Sequence, residues 1–204
     1  EENRADITAR VIAEKADIGI AWDGDADRCF FIDGTGEFIA GDFVTALLAE
    51  AFLIKSPGEK VIYDVRASYA VKDIVAKYQG TALMNKVGHA FIKRRMREEN
   101  AIFGGEVTGH YYFRDFYYAD NGFIPALLIL ELMSTKHMTL RDLLAPLRAL
   151  PRVLIPARFL GQRRELPTQA IQFAVVVRHA VRKPLKTLLG HRSANYVGER
   201  HSIR

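Results

Sequence analysis

The sequence predicts an α/β fold, a mixed and mostly parallel sheet covered by helices, followed by an irregular basic C-terminal tail. Three observations carry this. Between residues 5 and 150, segments with apolar residues at helical spacing alternate with apolar runs of strand length. Those runs end in loops rich in Gly, Asp and Pro, where an open α/β sheet presents its functional groups. After Leu150 the texture changes, with Pro151, Pro156, Pro167 and Pro184 falling among many arginines, and only residues 171–177 keep an element-like pattern.

The elements follow in order. Residues 5–16 read as a helix with Ile7, Val11 and Ile12 on one side and Asp6 near its start, where an acid suits the helix dipole. Residues 18–22 form a short apolar strand running into the acidic loop 23–28. A return strand over 29–32 ends in the turn Asp33-Gly34-Thr35-Gly36, and a helix over 42–54 is closed by Pro57-Gly58. A second α/β unit then places strands at 61–63, 81–84 and 101–103 and helices at 69–78 and 91–99. An aromatic stretch over 111–118 precedes helices over about 121–133 and 140–150.

Composition narrows the class. An apolar content of 49% over 204 residues is enough to bury a core. The most apolar runs, 43–54 and 122–130, fall short of the roughly 18–20 residues that span a bilayer, and the first is broken by Glu50. No membrane partner is expected, and the acidic start (Glu1, Glu2, Asn3) does not read as a signal peptide. A single cysteine, Cys29, excludes an intrachain disulfide and fits a cytoplasmic setting. The net charge of +5 is unevenly spread: residues 151–204 carry eleven Lys and Arg against Glu165 and Glu199, a net of +9, which leaves −4 for the first 150. That tail lacks aromatic interleaving, a zinc-ligand pattern and a reading helix, so nucleic acid is not an expected partner.

The sharpest chemical signal is Asp23-Gly24-Asp25-Ala26-Asp27-Arg28. Three carboxylates at alternate positions on a tight turn can converge on one hard cation, and Mg²⁺ takes oxygen ligands, often completing its shell with a phosphate. Gly24 permits the turn and Arg28 could meet a phosphate. In isolation the same turn also reads as a solvated loop. An EF-hand starting at Asp23 fails, because its sixth and twelfth positions hold Arg28 and Gly34. An aspartyl-phosphatase motif fits poorly, since its Thr or Val slot holds Asp27 or Cys29.

Downstream come Lys86-Val87-Gly88-His89 and Gly105-Glu106-Val107-Thr108-Gly109-His110, with Asp64-Val65-Arg66 before them. In this order and spacing the chain resembles the α-D-phosphohexomutases, whose motifs read D-G-D-x-D-R, K-T-G-H and G-E-M-S-G-H. Gly88 to Lys93 and Tyr112-Phe113-Arg114-Asp115-Phe116 are most similar to the bacterial phosphomannomutase branch. The resemblance implies that residues 1–39 are the end of that family's second domain, that 40–150 are its sugar-recognising third domain, and that 151–204 are a tail unlike its fourth. It implies that Asp23, Asp25 and Asp27 bind Mg²⁺ and that Arg28 lies beside a phosphoryl group. Glu106 and Thr108 would meet sugar hydroxyls, His89 and His110 would orient the sugar or move a proton, and Lys86 and Arg66 would add positive charge. Val87 departs from the usual threonine and loses a hydroxyl, whereas Thr108 in place of serine keeps one.

The implied activity interconverts hexose 1-phosphate and hexose 6-phosphate, of mannose or glucose, through a phosphoserine and a bisphosphate intermediate. The family's nucleophile sits in a T-A-S-H-N-P-like loop. None of Ser56, Ser68, Ser134, Ser193 or Ser202 has that neighbourhood. Little or no turnover is therefore expected of this chain alone. The alternative is a non-catalytic metal- and sugar-phosphate-binding remnant or subunit, whose protein partner would be a complementing domain or another copy.

Overall fold

The computed structural model describes residues 4–148 and 173–177. Its first unit is an antiparallel sheet backed by one helix. Helix α1 (Ala5–Ala13) buries Ile7 and Val11. Strand β1 (Ile18–Trp22) alternates large and small side chains: Ile18, Ile20 and Trp22 enter the main core, while Gly19 and Ala21 face α1. Glycine is required at 19 because a Cβ there would lie 2.6 Å from Val11 Cγ2. Ile12, expected on the buried side, is 56% exposed and lies over the Gly36 turn. Strands β2 (Cys29–Asp33) and β3 (Phe38–Ile39) follow as hairpins, and β9 (Phe173–Val177) pairs along the other edge of β1, giving the order β3-β2-β1-β9.

Helix α2 (Gly41–Lys55) is buried almost all round, as expected of a helix packed against several elements. Its one buried acid, Glu50, accepts a hydrogen bond from the Tyr78 hydroxyl at 2.8 Å, with Lys77 and Lys136 at 3.5 and 3.3 Å. The second sheet is mixed. Strands β4 (Lys60–Asp64), β5 (Thr81–Asn85) and β6 (Phe103–Gly105) are parallel, and β7 (Tyr111–Phe113) and β8 (Ala119–Asp120) add antiparallel, in the order β5-β4-β6-β7-β8. In β4, Val61 and Tyr63 join the main core, while Ile62 joins Ile92, Met96 and Tyr112 under α4 (His89–Glu99). Helix α3 (Tyr69–Lys77) packs on α2 and β5. Helices α5 (Phe123–Lys136) and α6 (Leu140–Arg148) complete the main core.

The α/β architecture with a mixed sheet is thus observed, divided into two sheets. The expected strand over 101–103 begins at Phe103, and the expected helix over 91–99 begins at His89. The tail expected over 151–204 lies outside the described residues except at 173–177. Among the described residues no single helix is long and apolar enough to cross a membrane.

Candidate functional site

The acidic loop hangs from the end of β1. Trp22 anchors it, donating from Nε1 to the Gly122 carbonyl at 2.7 Å and packing on Phe123. Asp23 is buried, and the chain turns back through Ala26, whose N–H donates to the Asp23 carbonyl at 3.2 Å and whose φ is +58°. The Arg28 backbone N–H donates to Asp23 Oδ1 at 3.1 Å, and its Nε donates to Oδ2. The acidic trio converges: one oxygen each of Asp23, Asp25 and Asp27 lies within 4.8 Å of the others. Burial pushes the Asp23 carboxyl up, but its bonds with Arg28 outweigh that and hold it below its ordinary value. Asp27 moves the other way, raised by burial and by the charges of Asp23, Asp25 and Asp120 against the pull of His110. Crowded carboxylates that resist ionising together are what a divalent cation relieves, and an all-oxygen donor set suits Mg²⁺. A second trio, Asp27, His110 and Asp120, shares Asp27 and so belongs to the same centre.

The second loop is the β6–β7 turn. Glu106 N–H donates to the His110 carbonyl at 2.9 Å and Gly109 N–H to the Glu106 carbonyl at 3.1 Å, with Gly109 at φ +94°. Val107 N–H is held by Asp64 Oδ2 at 2.8 Å, and Asp64 also accepts from Arg66 Nη2 at 2.8 Å. Glu106 is buried, its Oε1 accepting from the Tyr112 hydroxyl at 2.5 Å and its Oε2 from Gly88 N–H at 3.3 Å, with Arg66 Nη2 at 3.9 Å. Each carboxylate oxygen keeps a further lone pair. Thr108 is half-buried in the same turn.

Main-chain contacts join the two loops. Cys29 N–H donates to the Gly109 carbonyl at 3.1 Å, and Arg28 and His110 form an isolated antiparallel bridge. His110 Nδ1 thereby lies 3.2 Å from Asp120 Oδ2 and 3.7 Å from Asp27 Oδ2. The structure therefore brings Asp23, Asp25, Asp27, Arg28 and His110 into one cluster, with Glu106, Thr108 and Arg66 in the adjoining turn. His89 is the exposed first residue of α4, and Lys86, also exposed, turns its ammonium over the Phe91 ring at 3.5 Å.

Sequence reasoning missed Asp64, Lys93, Tyr112 and Asp120. Lys93 Nζ lies 2.6 Å from Asp120 Oδ1. Burial works to raise the Asp120 carboxyl, but His110 and Lys93 outweigh it and hold it well below the carboxylate range. Tyr112 belongs to the aromatic stretch over 111–118, and its hydroxyl serves Glu106. Tyr112→Phe strands that buried carboxylate, and urea denaturation should show a loss of about 2 kcal/mol.

The family described as phosphoglucomutase/phosphomannomutase, alpha/beta/alpha domain III, matches residues 40–149. A phosphomannomutase of Escherichia coli K12 is 54% identical over 142 residues, 70% of this chain and 31% of that protein. A phosphomannomutase of Vibrio cholerae is 52% identical over 159 residues, 78% of this chain and 32% of that protein. The chain therefore spans about a third of the length of these relatives. A crystal structure of a phosphoglucomutase/phosphomannomutase family protein from Burkholderia thailandensis superposes with a TM-score of 0.65 at 36% identity, covering 74% of this chain and 32% of that one.

Proposed function

Since the chain belongs to the phosphoglucomutase/phosphomannomutase family, we propose that it forms the metal- and sugar-binding part of a phosphohexomutase acting between hexose 1-phosphate and hexose 6-phosphate. On this reading residues 1–39 are the end of the second domain and 40–150 the third. The observation that carries it is the clasp between the acidic loop and the β6–β7 turn, which sets three convergent carboxylates beside Glu106, Thr108 and His110. Asp23, Asp25 and Asp27 would hold Mg²⁺, which when bound supplies positive charge to a transferring phosphoryl group.

The remaining work falls to the chain's own side chains. Arg28, held in place by Asp23, extends the positive charge beside the loop. Glu106 and Thr108 accept and donate hydrogen bonds to adjacent sugar hydroxyls. His110 orients the sugar or moves a proton at its ring nitrogen, and His89, Lys86 and Arg66 line the approach. A reducing cytoplasm suits the single buried thiol, Cys29, whose pKa burial pushes up.

None of the five serines has the neighbourhood of the family's phosphoserine. A second reading is a non-catalytic metal- and sugar-phosphate-binding unit that works with a complementing domain or another copy. Calorimetric titration with Mg²⁺ and then mannose 1-phosphate, beside a coupled mutase assay primed with bisphosphate, separates the two. Binding with negligible turnover is expected. Robust turnover overturns the binding-unit reading, and absence of both metal and sugar-phosphate binding overturns the whole assignment.

A further inference from the structure

We propose that Lys93 is a positioning residue for His110, acting through Asp120 so that the imidazole keeps its proton on Nδ1 and presents Nε2 to the ligand. The inference rests on the reading of His110 as part of the sugar-phosphate site, and it names a residue outside both loops that prepares it. Lys93 projects from the second turn of α4, four residues beyond His89, and reaches strand β8, where its ammonium lies 2.6 Å from Asp120 Oδ1. The other oxygen of the same carboxylate, Oδ2, stands 3.2 Å from His110 Nδ1. One carboxylate thus divides its two oxygens between a cation and an imidazole.

The rest of the surroundings agree. Tyr112 carries both partners on its ring: Lys93 Nζ stands 5.7 Å from its centroid, and the His110 ring lies 6.3 Å away, tilted by 24°. His110 Nδ1 is shielded from water, although 22% of the side chain remains exposed, so the accessible edge of the ring lies elsewhere. Among the described residues, Nδ1 faces carboxylate oxygens of Asp120 and, at 3.7 Å, of Asp27. Two acceptors facing one ring nitrogen favour a proton there. At 3.2 Å the two atoms are close enough for a hydrogen bond, although the ring as it stands does not meet the angle for one.

Lys93 matters because Asp120 would otherwise add unbalanced negative charge beside Asp27. Its carboxylate would also be free to turn away from the ring. The ammonium neutralises Asp120 and fixes Oδ1, which leaves Oδ2 aimed at His110. Lysine on a long stem can reach across from the helix, and only another long cation can replace it. Acting at this remove, Lys93 touches neither metal nor sugar. A role of this kind is known to tune the group it supports as strongly as many direct contacts do.

The test is the tautomer of His110, read from long-range ¹H–¹⁵N correlations in the full 204-residue chain with the ring neutral. Wild type should show Nδ1 as the protonated, pyrrole-type nitrogen. Lys93→Met should lose that preference in favour of the proton on Nε2, and Lys93→Arg should restore it. Should Lys93→Met fail to fold, Lys93→Gln, neutral but polar, serves in its place and should show the same loss. A wild-type ring protonated on Nε2, or a folded Lys93→Met whose tautomer is unchanged, overturns the assignment. The same samples are titrated with mannose 1-phosphate. Loss of the Nδ1–H form in Lys93→Met, beside a wild type that binds no sugar phosphate, upholds the role of Lys93 and overturns only the functional reading of the site.

Discussion

Asp23→Ala should abolish Mg²⁺ binding and cost the fold roughly 3 kcal/mol or more. Arg28 is mostly buried, and Asp23 is its close partner at both the guanidinium and the backbone. With the carboxylate gone, the guanidinium retains Asp27 at 3.9 Å and little else in reach. Chemical denaturation with and without the metal reads both effects. Wild type should gain stability as Mg²⁺ rises, by about 2.7 kcal/mol at a hundredfold excess over Kd, and the variant should not respond. Metal-dependent stabilisation surviving in Asp23→Ala would refute the placement of the ion. The pH dependence has a definite sign. The Asp23 carboxyl is held below its ordinary value, so its pairing stabilises the fold above the ordinary carboxylate range. That contribution is lost as pH falls through the lowered folded value. The acid limb of wild-type stability should therefore be steeper than that of the variant.

The second large effect is expected at Gly41, the first residue of α2. A Cβ there would stand 2.3 Å from the Val107 carbonyl oxygen, 2.8 Å from its carbon and 3.0 Å from its Cα. All three atoms are backbone, and Val107 is itself held by Asp64 through its N–H. Neither side can yield cheaply, so Gly41→Ala should displace the β6–β7 turn and destabilise the chain by about 3 kcal/mol. Affinity for mannose 1-phosphate should fall even under conditions where the variant stays folded. Gly104→Ala is the control. Its Cβ would meet Met96 Sδ at 2.9 Å and Ile92 Cγ2 at 3.2 Å, and the methionine side chain can move aside. A loss nearer 1 kcal/mol with binding retained is expected there.

The two loops were legible because their chemistry is contiguous. Alternate aspartates on a turn point to an oxygen-rich site, whereas the Glu106-to-His110 run was legible only through its resemblance to the family motif. Lys93, Asp120 and Tyr112 were not legible. They reach His110 and Glu106 from α4, β8 and β7, and the fold alone creates that meeting. Glycines misled in two ways. Gly88 begins α4 without a capping side chain and at φ +124°, so the helix start was read two residues late. The strand expected to stop at Phe103 instead takes in Gly104 and Gly105. They are glycine because Met96 crowds one and the Thr45 side chain would sit 2.5 Å from a Cβ on the other. The division into two sheets was equally hidden, because β9 joins the edge of β1 from far along the chain.

The seam between Arg28–Cys29 and Gly109–His110 has a mechanical consequence. Two stretches of chain about eighty residues apart share main-chain bonds, so they travel as one piece whatever their side chains do. On the proposed reading, the acidic loop and the Glu106 turn keep their relative position through main chain alone, and adjustment to different sugar phosphates would fall to the exposed Lys86 and His89.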